Sequence, residues 1–224
     1  ASVELHHSLE QAAFQAWPAL HEETHGPWLL RFADGYTKRA NSANAMERVS
    51  VVSTLDIEAV EAFYRLRGQP PIFRLASFCT KPEVDNALAD RGYRFVDLSL
   101  VMTRELSGDL GGKLPSFLPD ANSWLATFHQ ITDSPTSGQD THLKMLRAIP
   151  GETAFAAALS QAAPMACGLG VVTHQALGLF DVATRADARR QGLAKQLCAG
   201  LLHWGRECGA STAYLQVVGA NHAA

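Results

Sequence analysis

The stretch "LGLFDVATRADARRQGLAKQL", residues 177–197, constrains the fold more than any other part of the chain. Its apolar start reads as a strand. Its end reads as a helix beginning at Arg189, with Leu193, Leu197, Leu201 and Cys208 as the buried stripe and Gly209 as the stop. The short turn between them holds Arg185, Arg189 and Arg190 just ahead of Gly192. A helix start exposes unpaired N–H groups and partial positive charge, which attract phosphates. A glycine there lets a ligand approach with no side chain in the way. A solvated helix start is the plain alternative, and the surroundings must decide.

Before this unit, "MACGLGVVTHQALGLFDVAT" (165–184) reads as two strands joined near His174 and Gln175. After it, "TAYLQVV" (212–218) is the last strand. Helical segments around 124–130 and 141–148 and the apolar run "TAFAAAL" precede them. Strand, strand, helix, strand is the order of an α/β or α+β unit.

The segment 106–120, "LSGDLGGKLPSFLPD", has linker chemistry and places a boundary near Gly112, dividing the chain into residues 1–112 and 113–224. In the first half a helix opens the chain. Asp34-Gly35 signals a hairpin after a strand that buries Trp28, Leu30 and Phe32. "LDIEAVEAFYRLRG" is a helix with Ile57, Val60, Phe63 and Tyr64 on one face and Gly68 as its stop. "IFRLAS" is a strand. A further helix has Thr80 and Glu83 as a capping box, Pro82 in its first turn and Gly92 at its end. "YRFVDLSLVM" is a strand with Val96, Leu98, Leu100 and Met102 sharing a buried face.

Net charge is −3, which argues against a general nucleic-acid binder. Cys79, Cys167, Cys198 and Cys208 show no metal-ligand spacing and read as reduced thiols, mostly in the core, of a cytoplasmic protein. No apolar run of membrane-spanning length and no signal-peptide pattern is visible, and no metal is expected.

Arg189, Gly192 and Ala194 spell R-x-x-G-x-A. Placed after a strand, with Thr184 and Asp187 at matching offsets, this resembles the pyrophosphate motif of the GNAT superfamily of acyl-CoA N-acyltransferases. "GASTAYLQVVGANHAA", with Leu215, Val217, Asn221 and Ala223, is similar to the family's next strand and helix start; the resemblance spans residues 168–224. It implies an α+β GNAT fold, a mixed and mostly antiparallel sheet flanked by helices. Ala186 stands where the family often has proline. The chain stops at Ala224, before the family's last helix, strands and the tyrosine that commonly protonates the leaving thiolate, so these are expected beyond that residue. "EAFYRLRGQPPIF" looks distantly like the family's tyrosine-bearing helix end, with Tyr64 in the tyrosine place. The first half is therefore read as a degenerate GNAT-like copy, giving two such halves. It has no phosphate motif, and Pro70 removes an amide the phosphates would use.

The resemblance implies acetyl-CoA as co-substrate and a small-molecule or peptide amine as acceptor, with no nucleic acid or membrane partner and the oligomeric state left open. The backbone of Val182, Ala183 and Thr184 would pair with the pantetheine arm. Arg189 and the amides of Arg190, Gln191, Gly192, Leu193, Ala194 and Lys195 would cradle the pyrophosphate, with Asn221 as helix cap and cofactor contact. The Val182 amide would stabilise the oxyanion. Asp181 and His174 are the candidate bases for an ammonium acceptor. Against them stand a polar residue on a strand face and an exposed turn histidine. The "KRANS" run, 38–42, reads as an ordinary polar strand end. An N-acetyltransferase leads, the alternative being a non-catalytic acyl-CoA-binding regulatory module.

Overall fold

The structure is a computed structural model that describes residues 2–160 and 163–221. Ser2 accepts a hydrogen bond from the Leu5 amide (3.2 Å) and opens α1 (Val3–Ala16). A four-stranded sheet follows, ordered β1 (His21–His25), β2 (Trp28–Phe32), β3 (Ala43–Ala45), β4 (Phe73–Arg74). α2 (Thr54–Arg65) starts on a full capping box between Ser53 and Asp56 and buries Ile57, Val60, Phe63 and Tyr64, as the periodicity predicts. α3 (Pro82–Asp90) has Lys81 rather than Thr80 as its N-cap, whose side chain has no acceptor to offer, and the Thr80 hydroxyl donates to the Ala76 carbonyl (2.8 Å). The strand expected at 72–77 shrinks to the two residues of β4.

Asp34 and Gly35 do form a turn with positive φ, closed by Tyr36 N–H to the Ala33 carbonyl (2.8 Å). It is not a tight hairpin turn but the start of the longer loop, 33–42, that joins the antiparallel pair β2 and β3. The Asn41 side chain holds the loop away from the sheet, accepting from the amides of Ala33 (2.8 Å) and Gly35 (2.9 Å) and donating to the carbonyls of Tyr36 (2.9 Å) and Thr37 (2.8 Å). The tight hairpin lies one step earlier, between β1 and β2.

The second sheet takes β5 (Ser99–Glu105), β6 (Ser116–Phe117), β7 (Glu152–Ser160), β8 (Ala163–Thr173), β9 (Ala176–Thr184) and β10 (Thr212–Val218), in the order β5-β10-β9-β8-β7-β6. β5 comes before Gly112, yet pairs antiparallel with β10 along its whole length. Residues from both sides of the expected boundary thus build one sheet. β5 is an edge strand and all seven of its residues are exposed, so its apolar residues form no buried face.

α4 (Ala121–Thr132), α5 (Gln139–Arg147) and α1 cover one face of this sheet, burying Trp124, Met145, Ala12 and Ala16 against Leu169, Phe180 and Tyr214. α6 (Leu193–Glu207) covers the other with Leu197 and Leu201. Gly168 and Gly170 alternate on that face of β8. A Cβ there would stand 3.1 Å from Leu197 and 3.0 Å from Leu201, so the glycines let α6 sit close. The buried Arg31 of β2 donates to the carbonyls of Phe14 (3.0 Å) and Trp17 (2.7 Å) at the end of α1, joining the two sheets' layers.

Candidate active site

α6 begins at Leu193, not Arg189. Residues 186–188 form a single 3-10 turn, Arg189 is extended, and Arg190 (φ +62°) and Gly192 (φ +78°) turn the chain into the helix. Gly192 is the N-cap, with no side-chain hydrogen bond capping the helix. The first intrahelical bond there is Gln196 N–H to the Gly192 carbonyl (3.0 Å), so the amides of Leu193, Ala194 and Lys195 precede the ladder. A Cβ on Gly192 would meet nothing within 4 Å. Arg189, Arg190 and Lys195 are exposed around this open end. Arg185 is bound instead to Asp187 through two hydrogen bonds (2.6 and 3.0 Å), which hold its guanidinium.

Beside the helix start, the sheet opens. β9 and β10 pair in parallel only from Ala176–Thr212 to Leu179–Leu215. β9 then runs on through Thr184 and β10 through Val218 without pairing to each other, leaving the β10-facing backbone of Val182, Ala183 and Thr184 outside that ladder. The divergence coincides with a bulge. Leu169 faces Phe180 and Cys167 faces Ala183, so Asp181 and Val182 together oppose Gly168.

The bulge decides where Asp181 points. Regular alternation would send it to the α6 face, opposite Phe180. Its φ of +47° turns it to the other side instead, where its Oδ2 lies 3.1 Å from Nε2 of His142 on α5. The two atoms are in reach but off the hydrogen-bond direction, leaving both without an aligned partner. The other ring nitrogen of His142, Nδ1, is 2.7 Å from the Tyr36 hydroxyl, and the two rings stack at 4.7 Å. His142 is fully buried, with Trp17, Trp124 and Phe128 around it. Burial, then the Asp181 charge, pushes the Tyr36 hydroxyl well above its ordinary value. Burial, then Asp181, pushes the neighbouring Cys167 thiol up to about 12. His129, on the last turn of α4, is lowered by burial and by His142.

His174 sits exposed in the β8–β9 turn with φ +48°. Six residues lie between it and Asp181, five of them in β9, roughly 17 Å of strand. Asn221 follows β10, and the helix it was expected to cap lies outside the described residues. Trp28 is a core residue, as expected, and Trp124 is fully buried as well. "KRANS" is not a plain strand end: Asn41 and Ser42 are buried, and the Arg39 guanidinium lies over Phe180 (5.7 Å) and Trp17 (6.0 Å). Tyr64 is buried, donating to the Arg31 carbonyl (2.8 Å). Among the described residues no group of His, Cys, Asp and Glu could hold a metal ion, and no helix is long and apolar enough to cross a membrane.

Sequence reasoning missed His142 and Tyr36. One signal was available for His142. It shares the buried face of α5 with Thr141, Met145 and Leu146, an imidazole set into an apolar stripe. Tyr36 carried none, because its partner is 106 residues away.

The family model described as "Probable histone acetyltransferase Rv0428c C-terminal" matches residues 6–224. A Bacillus subtilis (strain 168) protein described as "Uncharacterized N-acetyltransferase YobR" is 27% identical over 223 residues, covering 96% of this chain and 89% of that one. A GCN5-related N-acetyltransferase from Kribbella flavida superposes with a TM-score of 0.71 at 16% identity, over 94% of this chain and 85% of its own. One from Sphaerobacter thermophilus gives 0.60 at 18% identity, over 76% and 60%. The open helix start beside a parted pair of parallel strands thus sits in a fold that these acetyltransferases share, and the chain belongs to the family "Probable histone acetyltransferase Rv0428c C-terminal", within the GNAT-type N-acetyltransferases.

Proposed function

We propose that this protein moves an acetyl group from acetyl-CoA to an amine by direct attack, the acceptor being a small molecule or a peptide. The observation that carries the reading is the parting of β9 from β10 after Leu179 and Leu215, next to the uncapped start of α6. The residues fit a CoA-type ligand. Gly192 leaves the space a Cβ would fill, the amides of residues 190–195 cluster at a helix start, and Arg189 adds charge. Val182, Ala183 and Thr184 offer backbone groups to an extended arm. Acetyl-CoA would supply the activated acyl group. The chain's part is to orient it, to offer the Val182 amide to the thioester oxygen, and to accept the acceptor's proton at Asp181.

The test is a CoA-release assay with acetyl-CoA and a broad amine panel, run beside calorimetry with CoA. Turnover of one amine class supports the reading. Binding without turnover makes the protein an acyl-CoA-binding regulatory module. Absence of both removes the cofactor assignment.

A further inference from the structure

We propose that His142, with its tautomer fixed by Tyr36, is a positioning residue that holds the Asp181 carboxylate ready to take the acceptor's proton. The proposal rests on the acetyltransferase reading of the same site. It is argued from three segments distant in sequence that meet at one buried ring.

Tyr36 stays protonated because burial disfavours its anion. Its hydroxyl therefore donates to Nδ1 of His142 across 2.7 Å. A neutral imidazole that accepts at Nδ1 carries its hydrogen at Nε2. Nε2 is the atom 3.1 Å from Asp181 Oδ2. The pair is not aligned without substrate, as catalytic contacts often are not. The acceptor's ammonium then loses one N–H bond and Asp181 gains one O–H bond, while His142 keeps its own proton throughout.

The surroundings select this arrangement. Arg39, Tyr36 and Cys167 all interact with the Asp181 charge, and His129 with both His142 and Asp181. Trp17, Trp124 and Phe128 close the remaining sides of the imidazole, so its two nitrogens have only Tyr36 and Asp181 as described polar neighbours in contact. Asp181 also keeps a left-handed backbone that a non-glycine residue rarely adopts, which ties its carboxylate to this one direction.

The test uses the full chain with Tyr36→Phe, His142→Leu and His142→Gln. Nitrogen NMR of the imidazole should show the Nε2–H tautomer in the unaltered protein and a mixture in Tyr36→Phe. CoA affinity by calorimetry and the KM for acetyl-CoA should stay within about threefold in all three variants. His142→Leu should lose kcat on the order of 10- to 100-fold, the size of a hydrogen bond to a charged group. His142→Gln should restore most of it, because its amide can accept from Tyr36 and donate to Asp181. Unchanged kcat in His142→Leu, no rescue by glutamine, or the same tautomer mixture with and without Tyr36 would overturn the proposal. If His142→Leu does not fold, the Tyr36→Phe spectrum and kcat decide alone. Loss of CoA binding in the unaltered protein would instead remove the acetyltransferase reading, with the tautomer measurement still standing.

Discussion

Thr141 on α5 donates a 3.0 Å hydrogen bond to Asp34, 107 residues earlier in the chain. The contact docks the turn after β2 onto the start of α5. The same docking brings the Tyr36 ring against Gly138, where a Cβ would stand 2.9 Å from it. Tyr36 then reaches His142 one helical turn further on. The first half of the chain thus supplies a wall around His142 and Asp181, while the proposed phosphate seat lies in the second.

That wall depends on Asn41. Asn41→Ala removes the acceptor for two loop amides and the donor to two loop carbonyls. It should destabilise the protein by about 2–4 kcal/mol, measured by urea unfolding. It should also reduce kcat, because the Tyr36 loop loosens. A stability change under about 0.5 kcal/mol, as for an ordinary surface position, would show that the loop is held elsewhere.

Asp181→Asn is a clean probe of the proposed base. Asparagine tolerates the left-handed backbone at φ +47°, so the bulge should persist. We expect kcat to fall on the order of 10²- to 10⁴-fold with CoA affinity unchanged. Steady-state kinetics with calorimetry on the same preparation checks both. Retained kcat would mean that another group, or water, takes the proton.

Stability should depend on pH through His129. Its two ring nitrogens are buried with no hydrogen-bond partner among the described residues, and burial with the nearby His142 lowers its pKa below the ordinary 6.5. The unfolded chain therefore binds the extra proton more readily. Stability should be full above about pH 6.5 and decline as the pH falls below it. Asp56, held below its ordinary 3.8 chiefly by the Ser53 hydroxyl, acts only at more acid pH. Urea midpoints between about pH 5 and 8 should slope for the parent protein and flatten for His129→Phe; equal slopes would show that His129 stays exposed to water.

The strand, turn and helix start proposed as the phosphate seat were legible because they are contiguous in the chain. Arg189, Gly192 and Ala194 are fixed relative to each other by local geometry alone. What was misjudged there was the helix start, since the positive φ of Arg190 and Gly192 delays it to Leu193. The β8–β9 hairpin was legible for the same local reason. β5 was recognisable as a strand, but not as an exposed edge paired to β10, because its burial depends on what lies beside it. The direction of Asp181 was hidden by the bulge, which breaks the alternation by which strand faces are read. Tyr36 and His142 meet only after the Asp34 turn docks on α5, a long-range event with no local signature.

The most direct measurement is calorimetric titration of acetyl-CoA into the parent protein, Gly192→Ala and Gly192→Glu. A Cβ at this position meets no atom, so alanine should cost only backbone strain, roughly 1 kcal/mol, and weaken binding at most modestly. Glutamate places bulk and negative charge where the phosphates would sit and should abolish binding. Tight binding by the parent and alanine proteins with none by the glutamate variant is the predicted result. Equal affinity across all three would contradict the assignment of the α6 start as the phosphate seat.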